Sequence, residues 1–524
     1  MAIRPKSIIS GISILGITGI VCKLVGVLYS IPLAAILGDT GLGMFQTVFP
    51  TYNLLLTVSS AGLPVAVSRM VSSYLAKEDP RNAKRVFGVA LKLLALLGAF
   101  CTLLMLICNG YLTRLVGVEE ASAGFYAIAP CVAIVCVLSA FRGFIQGQQN
   151  MVPTAISQLI EQVGKVAFSL PLAALGMTRS VALGAAGALL GITIVEVLAL
   201  LYMIIRYYRK AGEFDSIVSN TAEPAARQKT ICRQLIGISI PITLTACIIP
   251  LAQFIDSTLM VKRLCVAGFD TDTATALYGI FSGMVIRLIN IPTALALAIS
   301  MSLVPAISAA RAVNDTESMK KQSNDGIRYA FIIGFPCALG MSILAKEILG
   351  FFYQETLTSE RLQTAAELLT VSGLTVVLFT VVQATSSILQ GLRKQNLPAI
   401  TMVIGVVCKI ILNYVLIAIP EINIHGGPIA SVVCYSAAMI PNLIFCCKHA
   451  GMKFNWSGWI LRPGLAAGVM YAAEWGLKAI LPYGRISTVI EILTGILIYC
   501  AAAFLLKAVT REDINAFRRK KKVS

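Results

Sequence analysis

The sequence predicts an all-α integral membrane protein of about fourteen transmembrane helices, arranged as two six-helix repeats around a central cavity plus two C-terminal helices. Three observations predict it. The 524 residues are 57% hydrophobic and only 13% charged, about half the ~25% charge of soluble domains. Apolar runs long enough to cross a ~30 Å hydrocarbon layer recur along almost the whole chain. The cationic residues gather in alternate short loops, as they do in membrane proteins.

The spans fall at roughly 8–37, 44–75, 86–109, 123–146, 154–177, 181–205, 235–261, 275–309, 327–352, 364–390, 398–419, 428–447, 458–481 and 486–507. The first stretch, Ser7 to Leu37, is too long for a signal-peptide core and lacks a small-residue cleavage pattern, so it is expected to stay as helix 1. With the N-terminus inside, about 27 Lys and Arg lie on the inner side and about six on the outer. Both termini are therefore expected in the cytoplasm of a plasma-membrane protein. The net charge of +18 sits in those loops and in Arg518-Arg519-Lys520-Lys521-Lys522, which points to membrane lipids and not to nucleic acid.

The longest polar stretch, 206–234, divides an N-terminal bundle (1–205) from a C-terminal one (235–447); residues 448–524 supply helices 13 and 14 and a basic tail. The two bundles look like a duplication. Gln146-Gly147, Asn150, Pro153 and Lys165 recur as Gln390-Gly391, Asn396, Pro398 and Lys409. Ala66-Val67-Ser68 recurs as Ala306-Ile307-Ser308, and Gly43-Met44-Phe45 as Gly279-Ile280-Phe281. Six helices per half is an even number, so the halves share one orientation about an axis along the membrane normal.

A charge at mid-membrane costs at least ~2.5–3.5 kcal/mol, so each needs a reason. Lys23, Glu161, Lys165, Asp256, Arg287 and Lys409 are such charges; Arg69, Lys92 and Arg142 lie nearer the inner ends, with Glu196 in helix 6 and Glu474 in helix 13. Lys23 and Arg287 have no acidic residue within a turn of their own helix, which suits the lining of a wet, anion-accepting cavity. Glu161 and Lys165, four apart, are expected either to pair locally or to serve a substrate. Lys92 and Arg142 are expected to snorkel to the inner interface. Glu474 and Lys478 read as a structural pair. Asp256 is expected either to pair with Lys23 or Arg287 or, like Glu161, to bind a coupling cation or proton. Pro50 and Pro64 in helix 2, and Pro292 and Pro305 in helix 8, bend corresponding helices. Gln383 to Ser387 in helix 10 offer uncharged groups that hold helices together or meet sugar hydroxyls.

Several chemistries are set aside. There is no Walker A sequence. The only two histidines, His425 and His449, fall in loops on opposite sides, and the cysteines show no CxxC spacing, so neither a metal, a cofactor nor an enzymatic centre is expected.

The segment Gly41-Leu-Gly-Met-Phe-Gln-Thr-Val-Phe-Pro50, followed by Ser59-Ser-Ala-Gly-Leu-Pro-Val-Ala-Val-Ser-Arg69, resembles the bacterial stage V sporulation protein B group. That group belongs with the polysaccharide transporters of the multidrug/oligosaccharidyl-lipid/polysaccharide exporter superfamily. Arg287-Leu-Ile-Asn-Ile-Pro292, continuing to Ser302-Leu-Val-Pro305, resembles the helix 8 signature of the lipid II flippases in the same superfamily.

The resemblance implies a flippase, and not an enzyme, that moves an undecaprenyl-pyrophosphate-linked saccharide from the inner to the outer leaflet, working as a monomer. In the lipid II flippases basic residues on helices 1, 2 and 8 serve the headgroup. Lys23 falls where that family has a helix 1 arginine, and Arg287 matches its helix 8 arginine. The second helix 1 arginine is Ser30 here, and Arg69 lies beyond the helix 2 position. The expected substrate-binding residues are therefore Lys23, Arg287, Arg69, Lys165 and Lys409. The rival readings are a multidrug and toxin exporter coupled to H+ or Na+, and a membrane glycosyltransferase. Core cations outnumber core carboxylates, which favours an anionic substrate.

Overall fold

A computed structural model describes residues 8–219 and 226–510, without the side chains of 8–17, 20, 23, 24, 27, 210–219, 295, 298, 299 and 301. The described residues are almost entirely helical, with no strand among them. They form two compact units, Met1–Gly283 and Met284–Ser524.

In the first unit α1 (Ile8–Ser60) contains a break at Gly38, whose φ of 67° is a left-handed conformation that glycine adopts without strain. A second break at Ala61–Gly62 separates α1 from α2 (Leu63–Ala76), which starts with Pro64 in its first turn, where a missing N–H costs nothing. Helix α3 (Pro80–Ile107) is capped by Asp79, whose carboxylate accepts the backbone N–H of Asn82 at 2.9 Å. Then come α4 (Asn109–Val116), α5 (Ser122–Gly147) and α6 (Val152–Gly164). A π turn at Lys165–Ser169 leads into α7 (Leu170–Met177) and α8 (Val181–Ser219). After them, α9 (Gln228–Ala246) and α10 (Ile248–Val266) are bent by 47° at Cys247, and α11 (Thr271–Tyr278) enters a second π segment, Gly279–Val285.

The second unit begins with α12 (Ile286–Ala312), followed by α13 (Thr316–Ile343), α14 (Ala345–Tyr353), α15 (Ser359–Gly391), α16 (Asn396–Leu416) and α17 (Gly426–Ala450). A third π turn, Ser457–Leu461, opens α18 (Arg462–Lys478), and α19 (Arg485–Leu505) is the last described helix. Asp315 caps α13 by accepting the N–H of Ser318, which holds its carboxyl below the usual range.

All fourteen expected spans coincide with helix. Eleven helices, or twelve counting the bent α9–α10 pair, are long and apolar enough to cross a membrane. The shortfall has identifiable causes. Helix α1 merges helix 1 with the first half of helix 2, and α18, at 17 residues, is lengthened only by its π turn. Large apolar side chains such as Ile107, Ile480 and Leu505 are exposed on the surface, where hydrocarbon tails would cover them.

The repeated motifs place their glycines at corresponding helix crossings, with a register offset of one turn. A Cβ on Gly147 would meet Val71 and the Ser68 carbonyl, and one on Gly391 would meet Ile307 and the Val304 carbonyl. Each glycine thus seats the end of helix 4 or helix 10 against helix 2 or helix 8. Gly43 and Gly279, matched between the repeats, lie against each other: a Cβ on Gly279 would fall 2.2 Å from the Asp39 carbonyl and 2.6 Å from the Gly43 nitrogen.

Candidate functional site

Four charged side chains converge inside the first unit. Arg142, near the end of α5, forms an ion pair with Glu161 on α6 and donates from Nε and Nη2 to Ser157 Oγ at 3.0 and 2.8 Å. Ser157 in turn donates to the Thr154 carbonyl at 2.8 Å, so the whole guanidinium edge is held. Glu196 on α8 is buried and hydrogen-bonds Glu161, with Lys165 and Arg142 in electrostatic reach. Its Oε2 has no partner. Two cations and two carboxylates balance, so Lys165 is compensated within this cluster.

The cluster sits beside a seam of small residues. Gly164 packs on Val195, and Gly191 packs on the backbone of Ser169. Tyr29 and Ser169 hydrogen-bond at 2.6 Å, and Ser169 donates to the Ala188 carbonyl at 2.6 Å. Tyr52 reaches Cys131 Sγ at 3.2 Å.

These contacts correct three expectations. Glu161 pairs with Arg142, carried to it by α5, and not with its neighbour Lys165. Arg142 therefore does not snorkel. Lys478 pairs with Glu347 at 2.9 Å and donates to the Ile343 carbonyl at 2.7 Å, so its partner is on α14 and not Glu474.

The remaining expected residues are dispersed. Asp256, half-buried on α10, lies near buried Tyr278, whose hydroxyl donates to the Gln46 carbonyl at 3.3 Å. One turn earlier on the same face, Gln253 accepts from Asn53 at 3.4 Å. Arg69 is exposed on α2. In the second unit Arg287 is half-buried on α12 and acts electrostatically on the fully buried Tyr353. Lys409 is half-buried on α16. Lys23 lies on α1, but its side chain is outside the described residues. Lys165 opens one π turn, and Arg287 stands two residues beyond another. Such bulges concentrate at functional positions. In α15, Thr385 and Ser387 donate to their own helix at 2.7 and 3.0 Å.

A family model described as polysaccharide biosynthesis protein matches residues 8–311, more than half of the chain. The chain belongs to that family. A second model, MatE, matches residues 241–415 of this family member. It is 25% identical over 468 residues to the lipid II flippase MurJ of Bacillus subtilis (strain 168), covering 86% of this chain and 84% of that protein. Stage V sporulation protein B of the same organism is 26% identical over 429 residues, 82% and 81% of the two chains. Among solved structures, lipid II flippase MurJ in an inward closed conformation superposes with a TM-score of 0.71 at 15% identity, covering 93% of this chain and 97% of that one. This family member is thus a multi-pass, all-helical membrane protein with the fold of that solved structure.

Sequence reasoning missed Ser157 and Glu347 as partners of the buried charges. A serine four residues before Glu161 and three after Thr154 was the available signal, since i,i+4 spacing places it on the same helical face.

Proposed function

We propose that this family member is a flippase that moves an undecaprenyl-pyrophosphate-linked saccharide, lipid II or a related cell-wall or polysaccharide precursor, across the plasma membrane. Transport runs from the inner to the outer leaflet by alternating access, with both termini cytoplasmic and no catalysis. The observation that carries this reading is the relation to the lipid II flippase MurJ over more than four fifths of both chains.

The physics supports it. A diphosphate in a poorly solvated cavity needs cations, and one unit-charge pair at 4 Å contributes about 4 kcal/mol at an effective dielectric of ~20. Lys23 and Arg287 are the leading headgroup ligands, with Arg69 and Lys409 as further contacts. Lys165, balanced inside the α5–α6–α8 cluster, is the weakest of the five. Asp256 and Glu161 are the coupling candidates. The MatE match favours a second reading, a multidrug exporter coupled to H+ or Na+.

The test measures lipid II exposed at the outer leaflet of cells depleted of their own flippase and expressing this chain. Restored exposure is expected, with a loss of at least roughly tenfold in Lys23→Ala or Arg287→Ala, the equivalent of 1.4 kcal/mol. Unrestored exposure, together with efflux of a cationic dye, would transfer the assignment to the exporter.

A further inference from the structure

Three carboxylates and one lysine meet in the second unit where α18 and α19, which follow the duplicated bundles, pack near α14. Glu474 on α18 is 1% exposed and Glu491 on α19 is 3% exposed. Neither oxygen of Glu474 has a hydrogen-bond partner, and neither does Glu491 Oε2. The carboxylate of Glu474 points at α19: a Cβ on Gly495, one turn beyond Glu491, would come within 2.8 Å of Glu474 Oε1. Glu347 on α14 is the third carboxylate; its Oε1 takes the Lys478 ammonium at 2.9 Å and its Oε2 is unpartnered.

The neighbouring charged and titratable groups do not complete the balance. Tyr483 approaches Gly350 of α14, and Arg485 is engaged by Glu355 at 2.5 Å on the exposed rim. Lys346 is exposed, Arg287 acts on Tyr353 further along α14, and α13 contributes Cys337 near Tyr499. If all three carboxylates were ionised, the group would carry two uncompensated negative charges in apolar surroundings. A buried charge without a partner costs several kcal/mol, and a group so placed takes up a proton or a counter-ion instead. No set of three carboxylate, histidine or cysteine side chains among the described residues is arranged to hold a metal ion.

We propose that Glu474 and Glu491, with Glu347 beside them, form a proton-binding site that fastens the α18–α19 hairpin to α14. Occupied by protons, the pair is neutral and Gly495 lets the two helices close over it. Stripped of protons, it places like charges side by side and opens the hairpin. Because the folded chain holds protons that the unfolded chain releases at neutral pH, its stability falls as pH rises.

The probe is dicyclohexylcarbodiimide, which modifies protonated carboxyls in apolar surroundings, applied to the full chain in detergent and mapped by mass spectrometry. Modification at Glu474 or Glu491 is expected, falling roughly tenfold per pH unit once the site has titrated. It should be the same in Na+ and K+ buffers. Thermal unfolding should show a falling stability with pH that Glu474→Gln/Glu491→Gln flattens. Absence of modification at either glutamate across pH 5–9, protection by Na+ at fixed pH, or an unchanged pH slope in the double variant would each overturn the proposal. Should the double variant not fold, the wild-type modification profile decides alone.

Discussion

Replacing one member of the Arg142–Glu161 pair leaves the other buried without its partner. Arg142→Met strands Glu161 beside Glu196, and a stranded buried charge typically costs about 3–5 kcal/mol. The double substitution Arg142→Met/Glu161→Gln removes both charges and leaves Lys165 to balance Glu196, so it should be the milder change. Thermal unfolding in detergent, followed with a thiol-reactive dye, checks this: the single variants should melt well below the double. A double variant melting no higher than Arg142→Met would disprove the pairing. The sequence shows Glu161 and Lys165 as neighbours, since i,i+4 spacing is visible in a string. It does not show Arg142 as a partner 19 positions away, because that pairing depends on how α5 and α6 cross. The same blindness assigned Lys478 to Glu474 when its partner lies on α14. Charged residues themselves were legible; their partners were not.

Helices were far easier to read than partners. Apolar length alone placed the expected spans on helix, since a membrane span must be apolar throughout and cannot leave backbone groups unpaired. An interruption of helix 2 at Pro64 was visible as well. The π turns were not, because nothing in Lys165-Val-Ala-Phe-Ser169 distinguishes it from ordinary helix. Glycines at helix crossings supply a test at this scale. A Cβ on Gly43 would lie 2.0 Å from the Thr275 carbonyl, a backbone atom that cannot swing aside. Gly43→Ala should therefore cost about 1–3 kcal/mol or more through overpacking. Gly88→Ala, with nothing within 4 Å, should instead be neutral or gain up to ~1 kcal/mol from helix propensity. Comparing the two melting temperatures separates close packing from general intolerance of glycine replacement.

For the whole molecule, the distribution of Lys and Arg fixes an expected orientation that labelling of native cysteines can check. Cys265, exposed at the end of α10, should react with a membrane-impermeant maleimide in intact cells. Cys232, half-buried near the start of α9, should react only after permeabilisation. Reversed accessibility would invert the topology, and with it the direction of transport. Fold and family were legible in this sequence because hydropathy, loop charge and the Gly-Leu-Pro and Arg287-to-Pro292 segments are local patterns. The site was legible only as a set of expensive charges, since its assembly depends on the packing of distant helices.

A π turn is in effect a single residue inserted into a finished helix, and the described residues carry three. Each insertion rotates everything beyond it by about 100° while the backbone bonding continues almost undisturbed. Lys165 and Arg287 stand at two of them, so one lost codon between 165 and 169, or between 279 and 285, would regularise the helix and turn its far half to a new face. Single-residue length differences among family members should therefore gather at these two places, and each would turn a different set of side chains to the helix's former face.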